Sequence, residues 1–296
     1  MSDNNVRLPT FLIIGAMKAG TTSLFHYLRE HPQIFMPKIK EVDFFTGTTN
    51  WGRGMGWYER QFAAATSDYV AIGEASTAYT KYPHFPGVPD RIVEHLPDVK
   101  LVYVIRHPID RIRSHYQHRV AVGAETKPLE QAVLDNPIYV DYSKYAMQAE
   151  RYLRLFREDH LLLVTSEALR DDRHATVRHV YAFLGVNPEF VPTTLGREFY
   201  KTRGRSTYPS ELWRFRRALR RAFPAAKRAK ELVDSIGVRM RAEPALGNAE
   251  GADPSGSAPR PEIPPAVRAV LEDRLGPDVR KLRTYLPPVF DGWGIA

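Results

Sequence analysis

The sequence of 296 residues contains no cysteine. This absence excludes a disulfide framework, a thiolate zinc site, an iron–sulfur cluster and catalysis by a cysteine nucleophile. Long hydrophobic runs are also lacking, since no apolar segment approaches the roughly 18 residues that a membrane span requires. The N-terminal stretch MSDNNVRLPT does not have the charged and then apolar order of a signal peptide. We therefore expect a soluble, cytoplasmic protein.

The charge of the chain is positive and unevenly distributed. The formal net charge is +8, which favours an anionic ligand, nucleic acid or an acidic membrane surface as a partner. The excess is concentrated in residues 211–241, where ten basic residues stand against three acidic ones. Three interpretations of this basic segment stay open: a flap over an acceptor cleft, a patch for anionic lipid, or a nucleic-acid footprint. No recognisable nucleic-acid motif accompanies it, so we regard nucleic acid as the least favoured partner.

Short apolar runs alternate with amphipathic patterns along most of the chain. The runs predict strands at residues 11–15, 69–73, 101–105 and 161–165. The amphipathic patterns predict helices at residues 21–31, 108–122, 129–134, 143–156 and 174–184. This alternation indicates right-handed βαβ crossovers around a parallel sheet. The expected fold class is α/β, a three-layer α/β/α arrangement with ligands at the carboxyl ends of the strands.

Composition divides the chain into four parts. Residues 1–209 are predicted to form the core, and residues 210–242 a basic helical flap. Residues 243–263 are predicted to form a flexible linker, because residues 243–262 contain Leu246 as their only large apolar residue and are dense in Pro, Gly, Ser and Ala. Apolar periodicity returns in residues 264–296, which predicts a C-terminal helical piece that packs on the core.

The loop after the first predicted strand, GAMKAGTTS, has the properties of an anion site. Small residues allow a phosphate to approach closely, and the backbone N–H groups at the start of the next helix point outward without partners. Lys18 adds a positive charge. The loop does not match the GxxxxGK[ST] pattern of nucleoside triphosphatases, because Thr21 follows Gly20 where that pattern has lysine. Taken alone, it also fits a glycine turn with a solvated lysine.

Three segments together resemble a known family. GAMKAGTTSL, KEVDFF and LVYVIRHPIDRIRSHY are similar to motifs of the sulfotransferases that use 3′-phosphoadenosine 5′-phosphosulfate (PAPS). The resemblance is strongest to the branch with the heparan sulfate sulfotransferases and their bacterial relatives, and it covers residues 8–209 and 264–293. It implies a P-loop-like nucleotide-binding architecture, PAPS as donor and no metal. It also implies transfer of a sulfuryl group to a hydroxyl of a carbohydrate, lipid or secondary metabolite.

The resemblance assigns donor-side roles to residues of two motifs. Lys18 is expected to contact the 5′-phosphosulfate and the bridging oxygen of the leaving group, where a cation stabilises developing charge. Arg106 and Ser114 are expected to hold the 3′-phosphate, and the arginine fork suits a bidentate phosphate contact. The cradle around the donor is expected to consist of Ala19, Gly20, Thr21, Thr22 and Ser23.

A late basic stretch, YKTRGRS at residues 200–206, has the place in the chain of the family's loop that closes over the nucleotide. Lys201, Arg203 and Gly204 are therefore candidates for contacts with the 3′-phosphate or the adenine. The stretch also fits a plain basic surface loop, and both interpretations stay open.

On the acceptor side, the resemblance makes Glu41 of KEVDFF the general base that takes the proton of the acceptor hydroxyl. Asp43 stands where the family often has histidine, and this aspartate is a second candidate for the basic role. EASTAY, residues 74–79, resembles a segment EKTPSY that lines the cleft in the family. Ala75 replaces its lysine, which weakens the case for an anionic polymer as acceptor.

Two rival functions remain at this point. One is a kinase-like P-loop enzyme that uses ATP and magnesium, although the position of Lys18 and the lack of a supported Walker-B aspartate count against it. The other is a membrane-associated or nucleic-acid-associated binding protein that acts through the basic segment. We predict a PAPS-dependent sulfotransferase, with a glycan or small-molecule hydroxyl acceptor as its partner.

Overall fold

The computed structural model of the protein describes residues 7–197, 199 and 261–295. In these residues one sheet contains five parallel strands in the spatial order β2-β3-β1-β4-β5. The strands are β1 (Phe11–Gly15), β2 (Ile34–Phe35), β3 (Ala71–Ala75), β4 (Lys100–Ile105) and β5 (Leu161–Thr165). The predicted α/β class with a central parallel sheet is confirmed.

The strands are connected largely through helices, as parallel pairing requires. These helices are α1 (Thr21–Glu30), α2 (Met55–Glu59), α3 (Val88–His95), α4 (Pro108–Ala121), α5 (Leu129–Asp135), α6 (Ile138–Asp141), α7 (Tyr145–Leu153), α8 (Ser166–Asp171), α9 (Arg173–Leu184) and α10 (Pro265–Leu282). Two short 3₁₀ turns, Phe44–Thr46 and Thr77–Thr80, matter for the site below. No helix among the described residues has the length and apolar character to cross a bilayer.

The central strand β1 explains where a ligand has room to bind. Every residue of β1 is buried, because the flanking strands and the helical layers cover it on all sides. In register, Phe11 lies beside Gly73 of β3 and beside Lys100 of β4. The carboxyl ends of β3, β1 and β4 therefore lie side by side. After β1 the chain adds β2 and β3 on one side of this strand and then β4 and β5 on the other side. This change of direction opens a crevice at the carboxyl ends of the strands.

Strand β3 differs from its predicted position. It begins at Ala71 rather than at residue 69, since the side chain of Val70 is 48% exposed and lies outside the sheet. It also continues past Gly73 through Glu74 and Ala75, both buried. The sequence pattern ended the strand before Glu74 because a charged residue seldom occupies a fully buried strand position. Hydroxyl partners, described below, make that position possible.

Helix α10 packs against the α4–α7 side of the sheet. Its buried side chains are Leu271, Leu275, Val279 and Leu282. The carboxylate of Asp278 accepts hydrogen bonds from the backbone N–H groups of Ala146 (3.0 Å) and Met147 (2.8 Å), at the start of α7. Burial raises the pKa of Asp278 to about 6. The boundaries drawn at residues 209, 242 and 263 stay predictions, because residues 210–242 and most of 243–263 lie outside the described part.

Candidate functional site

The loop between β1 and α1 turns sharply through two left-handed residues. Lys18 has φ of +74° and Gly20 has φ of +100°. Gly20 precedes the first residue of α1, and no side chain among the described residues caps the helix there. The first N–H groups of α1 are therefore left for a ligand, and the helix dipole favours an anion.

The side chains of this loop differ in their exposure. Ala19 and Thr21 are buried, Thr22 and Lys18 are half-buried, and Gly20 is exposed. Gly15 at the end of β1 allows close packing, since a Cβ there would lie 1.9 Å from Oγ1 of Thr80. The loop thus offers backbone N–H groups, small residues and one cation at a single point.

The Ser23 hydroxyl already contacts the backbone of Phe199. It accepts a hydrogen bond from the N–H of Phe199 (3.2 Å) and lies 3.5 Å from the carbonyl oxygen of the same residue. The ring of Phe199 stacks on His26 at 4.2 Å between centroids. The chain therefore passes the first turns of α1 just before the late basic stretch. The candidates in that stretch lie outside the described residues: Lys201, Arg203 and Gly204.

Arg106 follows β4 and contacts the first loop directly. Its Nη1 donates to the carbonyl oxygen of Lys18 at 3.2 Å, and its Nη2 lies 3.9 Å from a carboxylate oxygen of Asp110. Asp110 also pairs with Arg113 at 2.5 Å. Ser114 is half-buried and lies one helical turn beyond Asp110, so the two share a face of α4. The structure thus joins Arg106 to the backbone of Lys18 by a hydrogen bond. Ser114 lies on the same face of α4 as Asp110, which the Arg106 guanidinium approaches.

Glu41 lies at the carboxyl end of β3. Its N–H donates to the carbonyl oxygen of Ala75 at 2.8 Å. Its Oε2 accepts from the N–H of Thr77 (2.7 Å) and from the Thr77 hydroxyl (2.9 Å), while Oε1 pairs with Lys40. The side chain is still 36% exposed. The carboxylate is therefore fixed in place with one side open, at the same edge of the sheet as Lys18.

Asp43 lies beside Glu41 in a more enclosed setting. Burial, and then the negative charge of Glu41, raise the pKa of Asp43 to about 6. Its N–H donates to the hydroxyl of Ser76 at 2.9 Å, and its Oδ1 is buried with no hydrogen-bond partner among the described residues. Glu41 and Asp43 are thus neighbouring carboxyl groups in different environments, the arrangement that separates acid and base roles in enzymes.

The cleft-lining role of EASTAY is not what the structure shows for most of its side chains. Glu74, Ser76 and Tyr79 are between 0% and 3% exposed and lie in the interior. Two side chains of this segment contact candidate site residues directly: Thr77 donates to Glu41, and the Ser76 hydroxyl accepts the N–H of Asp43. Most of the segment lies in the core behind the site and does not line the cleft, because its first two residues belong to the buried strand β3.

Lys81 is a site residue that the sequence analysis missed. It is half-buried, and burial lowers its pKa while the negative charges of Glu41 and Asp43 oppose that shift. Lys81 therefore brings a cation to the acceptor side, where Ala75 has replaced the family's lysine. The sequence signal that could have identified it is the presence of a lysine six residues after Ala75, the position where the family's lysine is missing.

Of two histidines near the site, His107 has hydrogen-bond partners and His115 is buried. Nδ1 of His107 accepts from the N–H of Ile109 at 3.2 Å and so caps α4, while its own backbone N–H donates to Glu167 at 3.0 Å. Burial lowers the pKa of His107 and strongly lowers that of His115, which is 3% exposed. Within the described residues, no group of three or more side chains is suited to hold a metal ion.

Comparison with known proteins identifies the fold and the loops as those of one family. A model described as "Sulfotransferase domain" matches residues 8–211. That range includes the first loop, Glu41, Arg106 and Ser114.

Individual relatives agree with this match. The bifunctional heparan sulfate N-deacetylase/N-sulfotransferase 4 of Mus musculus is 32% identical over 206 residues, which is 62% of this chain and 23% of that protein. The membrane-associated sulfotransferase kil1 of Dictyostelium discoideum is 36% identical over 115 residues, 38% of this chain and 23% of that protein. The chain therefore spans less than a quarter of the length of these relatives.

A solved structure covers more of the fold. The crystal structure of a sulfotransferase from Alicyclobacillus acidocaldarius matches with a TM-score of 0.58 and 30% sequence identity. The match covers 77% of this chain and 97% of that one. Since the family model spans more than half of the chain and agrees with the sheet and loops described above, the chain belongs to the sulfotransferase family.

Proposed function

We propose that the chain transfers a sulfuryl group from PAPS to a hydroxyl group of a carbohydrate, lipid or secondary metabolite. The observation that carries this proposal is the convergence of Glu41, Lys18 and Arg106 at the carboxyl ends of three adjacent strands. A base, a cation at a helix start and a phosphate-binding arginine thus share one crevice. The base and the cation are suited to sulfuryl transfer between two oxygens, and the arginine is suited to binding the donor.

The donor side fits a nucleotide with two separate phosphate groups. The N–H groups that follow Gly20, together with Lys18, suit the 5′-phosphosulfate, because α1 has no side-chain cap among the described residues. Arg106 and Ser114 suit the 3′-phosphate, since a guanidinium provides two parallel N–H donors. Lys201, Arg203 and Gly204 remain candidates for the remainder of the nucleotide.

The proposed step conserves charge and protons. Glu41 accepts the proton of the acceptor hydroxyl as that oxygen forms a bond to sulfur. The bond between sulfur and the 5′-phosphate oxygen breaks, and its electron pair stays on that phosphate oxygen. Lys18 and the N–H groups of α1 stabilise the charge that accumulates there. The products are a sulfate ester and adenosine 3′,5′-bisphosphate.

The first experiment measures thermal stabilisation by adenosine 3′,5′-bisphosphate, AMP, and ATP with magnesium at equal concentrations. A ligand that binds only the folded state raises the melting temperature with its occupancy. We expect the bisphosphate to stabilise most, and this preference to disappear in Arg106→Ala. Preferential stabilisation by ATP with magnesium, or no stabilisation at all, contradicts the proposal and favours the kinase-like or binding-protein alternative.

The second experiment follows transfer of radioactive sulfate from labelled PAPS to a glycan, a glycolipid and a small alcohol. Two forms of the glycan, a heparan-type polysaccharide with its amines acetylated and the same polysaccharide with free amines, distinguish oxygen from nitrogen as the acceptor atom. Labelled product from the acetylated form supports a hydroxyl acceptor. Product from the free-amine form alone overturns the hydroxyl assignment while leaving the donor assignment intact.

The basic segment of residues 211–241 lies outside the described residues, and its role stays a prediction. We propose an anionic membrane surface as its partner, on the grounds of its charge and its amphipathic pattern. Binding to vesicles with and without phosphatidylserine, compared between the full chain and a variant lacking these residues, tests this. The cytoplasmic location also stays a proposal, with the lack of cysteine as its support.

A further inference from the structure

A carboxyl group lies buried directly beneath the acceptor side of the site. Glu74 in β3 is 0% exposed and accepts hydrogen bonds from three hydroxyl groups. Ser76 (2.6 Å) and Tyr79 (2.7 Å) donate to its Oε1, and Tyr58 (2.5 Å) donates to its Oε2. A buried carboxyl group is costly unless such donors satisfy it, so its presence in the core calls for a reason.

Two of the three hydroxyls also form hydrogen bonds with the segment that carries the proposed base. The Ser76 hydroxyl, besides donating to Glu74, accepts the backbone N–H of Asp43 at 2.9 Å. The Tyr79 hydroxyl likewise donates to Glu74 and accepts the backbone N–H of Phe45 at 3.3 Å. Oxygen Oε1 therefore connects to residues 43 and 45 through two separate relays. The hydroxyl on Oε2, that of Tyr58, has no such continuation among the described hydrogen bonds.

The segment held by these relays has an unusual backbone. Glu41 has φ of +62° and Asp43 has φ of +52°. A left-handed conformation is strained for a residue other than glycine and persists only where its surroundings enforce it. The N–H of Glu41 is fixed by the carbonyl oxygen of Ala75, but that of Asp43 depends on the Ser76 hydroxyl.

We propose that Glu74 is a positioning residue for Glu41: through Ser76 and Tyr79 it holds the backbone of residues 41–45 in the conformation that aims the Glu41 carboxylate at the acceptor. The inference rests on the proposed function, because it takes Glu41 as the base. Glu74 itself does not touch the acceptor, since it is fully buried.

The chemistry of a carboxylate explains why glutamate occupies this position. An ionised carboxylate only accepts hydrogen bonds, so each hydroxyl that faces it must donate. The lone pairs of the Ser76 and Tyr79 oxygens are then left for the two backbone N–H groups. Glutamine has nearly the same shape but presents an NH₂ donor, which conflicts with at least one of the three hydroxyls. Burial raises the pKa of Glu74 to about 7 while the three hydroxyl donors oppose that shift, so the ionised form that accepts from all three hydroxyls predominates above about pH 7.

Two tyrosine variants separate positioning from simple stabilisation. Tyr79→Phe and Tyr58→Phe each delete one buried hydroxyl that donates to Glu74, but only Tyr79 also holds a backbone N–H of the segment. Ser76→Ala and Glu74→Gln complete the set. The measurements are amide hydrogen exchange at Asp43 and Phe45, melting temperature, and kcat and KM with PAPS and the acetylated heparan-type polysaccharide.

The relay predicts distinct results for the two tyrosines. We expect Tyr79→Phe, Ser76→Ala and Glu74→Gln to accelerate amide exchange in residues 43–45. We also expect them to lower kcat on the order of tenfold, with KM for PAPS within about twofold. Tyr58→Phe lowers the melting temperature but leaves amide exchange in the segment and kcat near the wild-type values.

Equal behaviour of Tyr79→Phe and Tyr58→Phe in exchange and kcat overturns the inference and makes Glu74 a stabilising residue only. If Glu74→Gln does not fold, the comparison of Tyr79→Phe, Tyr58→Phe and Ser76→Ala in amide exchange and kcat still tests the inference. Failure of the proposed function appears differently, as the absence of labelled product from the wild-type protein with every acceptor. In that case the exchange measurements alone decide whether Glu74 holds the segment.

Discussion

The two sides of the crevice are held in different ways. On the donor side, consecutive residues of one loop present backbone N–H groups at the start of α1, and the bond from Arg106 to the Lys18 carbonyl joins this loop to β4. On the acceptor side, the segment around Glu41 depends on hydrogen bonds to residues 33 to 36 positions later in the chain. A local backbone motif forms the first side, and a long-range polar network in the core forms the second.

This difference has consequences for how each side tolerates change. A cradle of backbone N–H groups survives most side-chain substitutions, because the helix that supplies it is packed through other residues. A network of buried hydroxyls and carboxyl groups is sensitive to the loss of single atoms, since each unsatisfied partner carries a desolvation cost. The donor side should therefore lose activity through a few charged residues, whereas the acceptor side should lose it through several buried neutral ones.

The largest effect is expected on the donor side, from Lys18→Ala. Removing the cation next to the leaving group should lower kcat by about 10²–10³-fold, the range seen when one stabilising donor is removed from a transition state. Steady-state kinetics with PAPS measures this. Lys38→Ala removes an exposed lysine in the segment after β2 and serves as the matched control, which should retain full activity. A Lys18→Ala enzyme with wild-type kcat contradicts the role of Lys18.

The comparable change on the acceptor side is Glu41→Gln. It keeps the shape of the side chain but removes the proton acceptor, so we expect kcat to fall by about 10²-fold. Because the donor cradle is built from other residues, stabilisation by adenosine 3′,5′-bisphosphate should stay at the wild-type level. Glu94→Gln on the exposed face of α3 is the control. Loss of bisphosphate binding in Glu41→Gln would show that the two sides are not independent.

A smaller effect is expected from Arg106→Lys, which keeps the charge but loses the planar fork. The apparent KM for PAPS should rise about tenfold while kcat changes little, since the 3′-phosphate lies away from the reacting bond. Melting temperatures with adenosine 3′,5′-bisphosphate and with AMP measure the same discrimination without an acceptor. An unchanged preference for the bisphosphate in both Arg106→Lys and Arg106→Ala contradicts this assignment.

The contrast between the two sides also decides what the sequence could predict. The buried strand β1, the glycine turn and the start of α1 are adjacent in the chain, so local pattern was sufficient to predict this loop and its suitability for an anion. The roles of Lys18, its cradle and Arg106 came from the family resemblance. That these loops meet depends on β1 and β4 being neighbours, which the predicted parallel sheet allowed but did not require.

The acceptor side could be predicted only in part. Glu41 was found through the resemblance of KEVDFF, but its partners lie in another strand and no local pattern connects them. The charge of Glu74 even ended the predicted strand too early, because hydropathy takes no account of the hydroxyls that satisfy it. Lys81 was missed for a similar reason, since its nearness to Glu41 and Asp43 arises from tertiary packing.

The smallest effect concerns stability and comes from Asp43. Its pKa of about 6 in the folded protein lies above the usual value of 3.8, so the folded state holds a proton that the unfolded state has already released between those values. Stability is therefore lost as pH rises from about 4 to about 6, and the loss is complete above that range. Asp43→Asn removes this dependence.

We expect Asp43→Asn to be more stable than the wild type at pH 7, by about 1–3 kcal/mol, and to approach the wild type near pH 4. Denaturant unfolding of both proteins across this range measures the difference. Asp278, with a pKa of about 6, titrates in the same region but is the same in both proteins, so it cancels from the difference between the curves. The charge of Asp43 contributes to the raised pKa of Glu74, about 7, so the difference reports Asp43 together with its effect on Glu74. Parallel curves would mean that Asp43 is already well solvated, and that the enclosure of the acceptor side ends at Ser76.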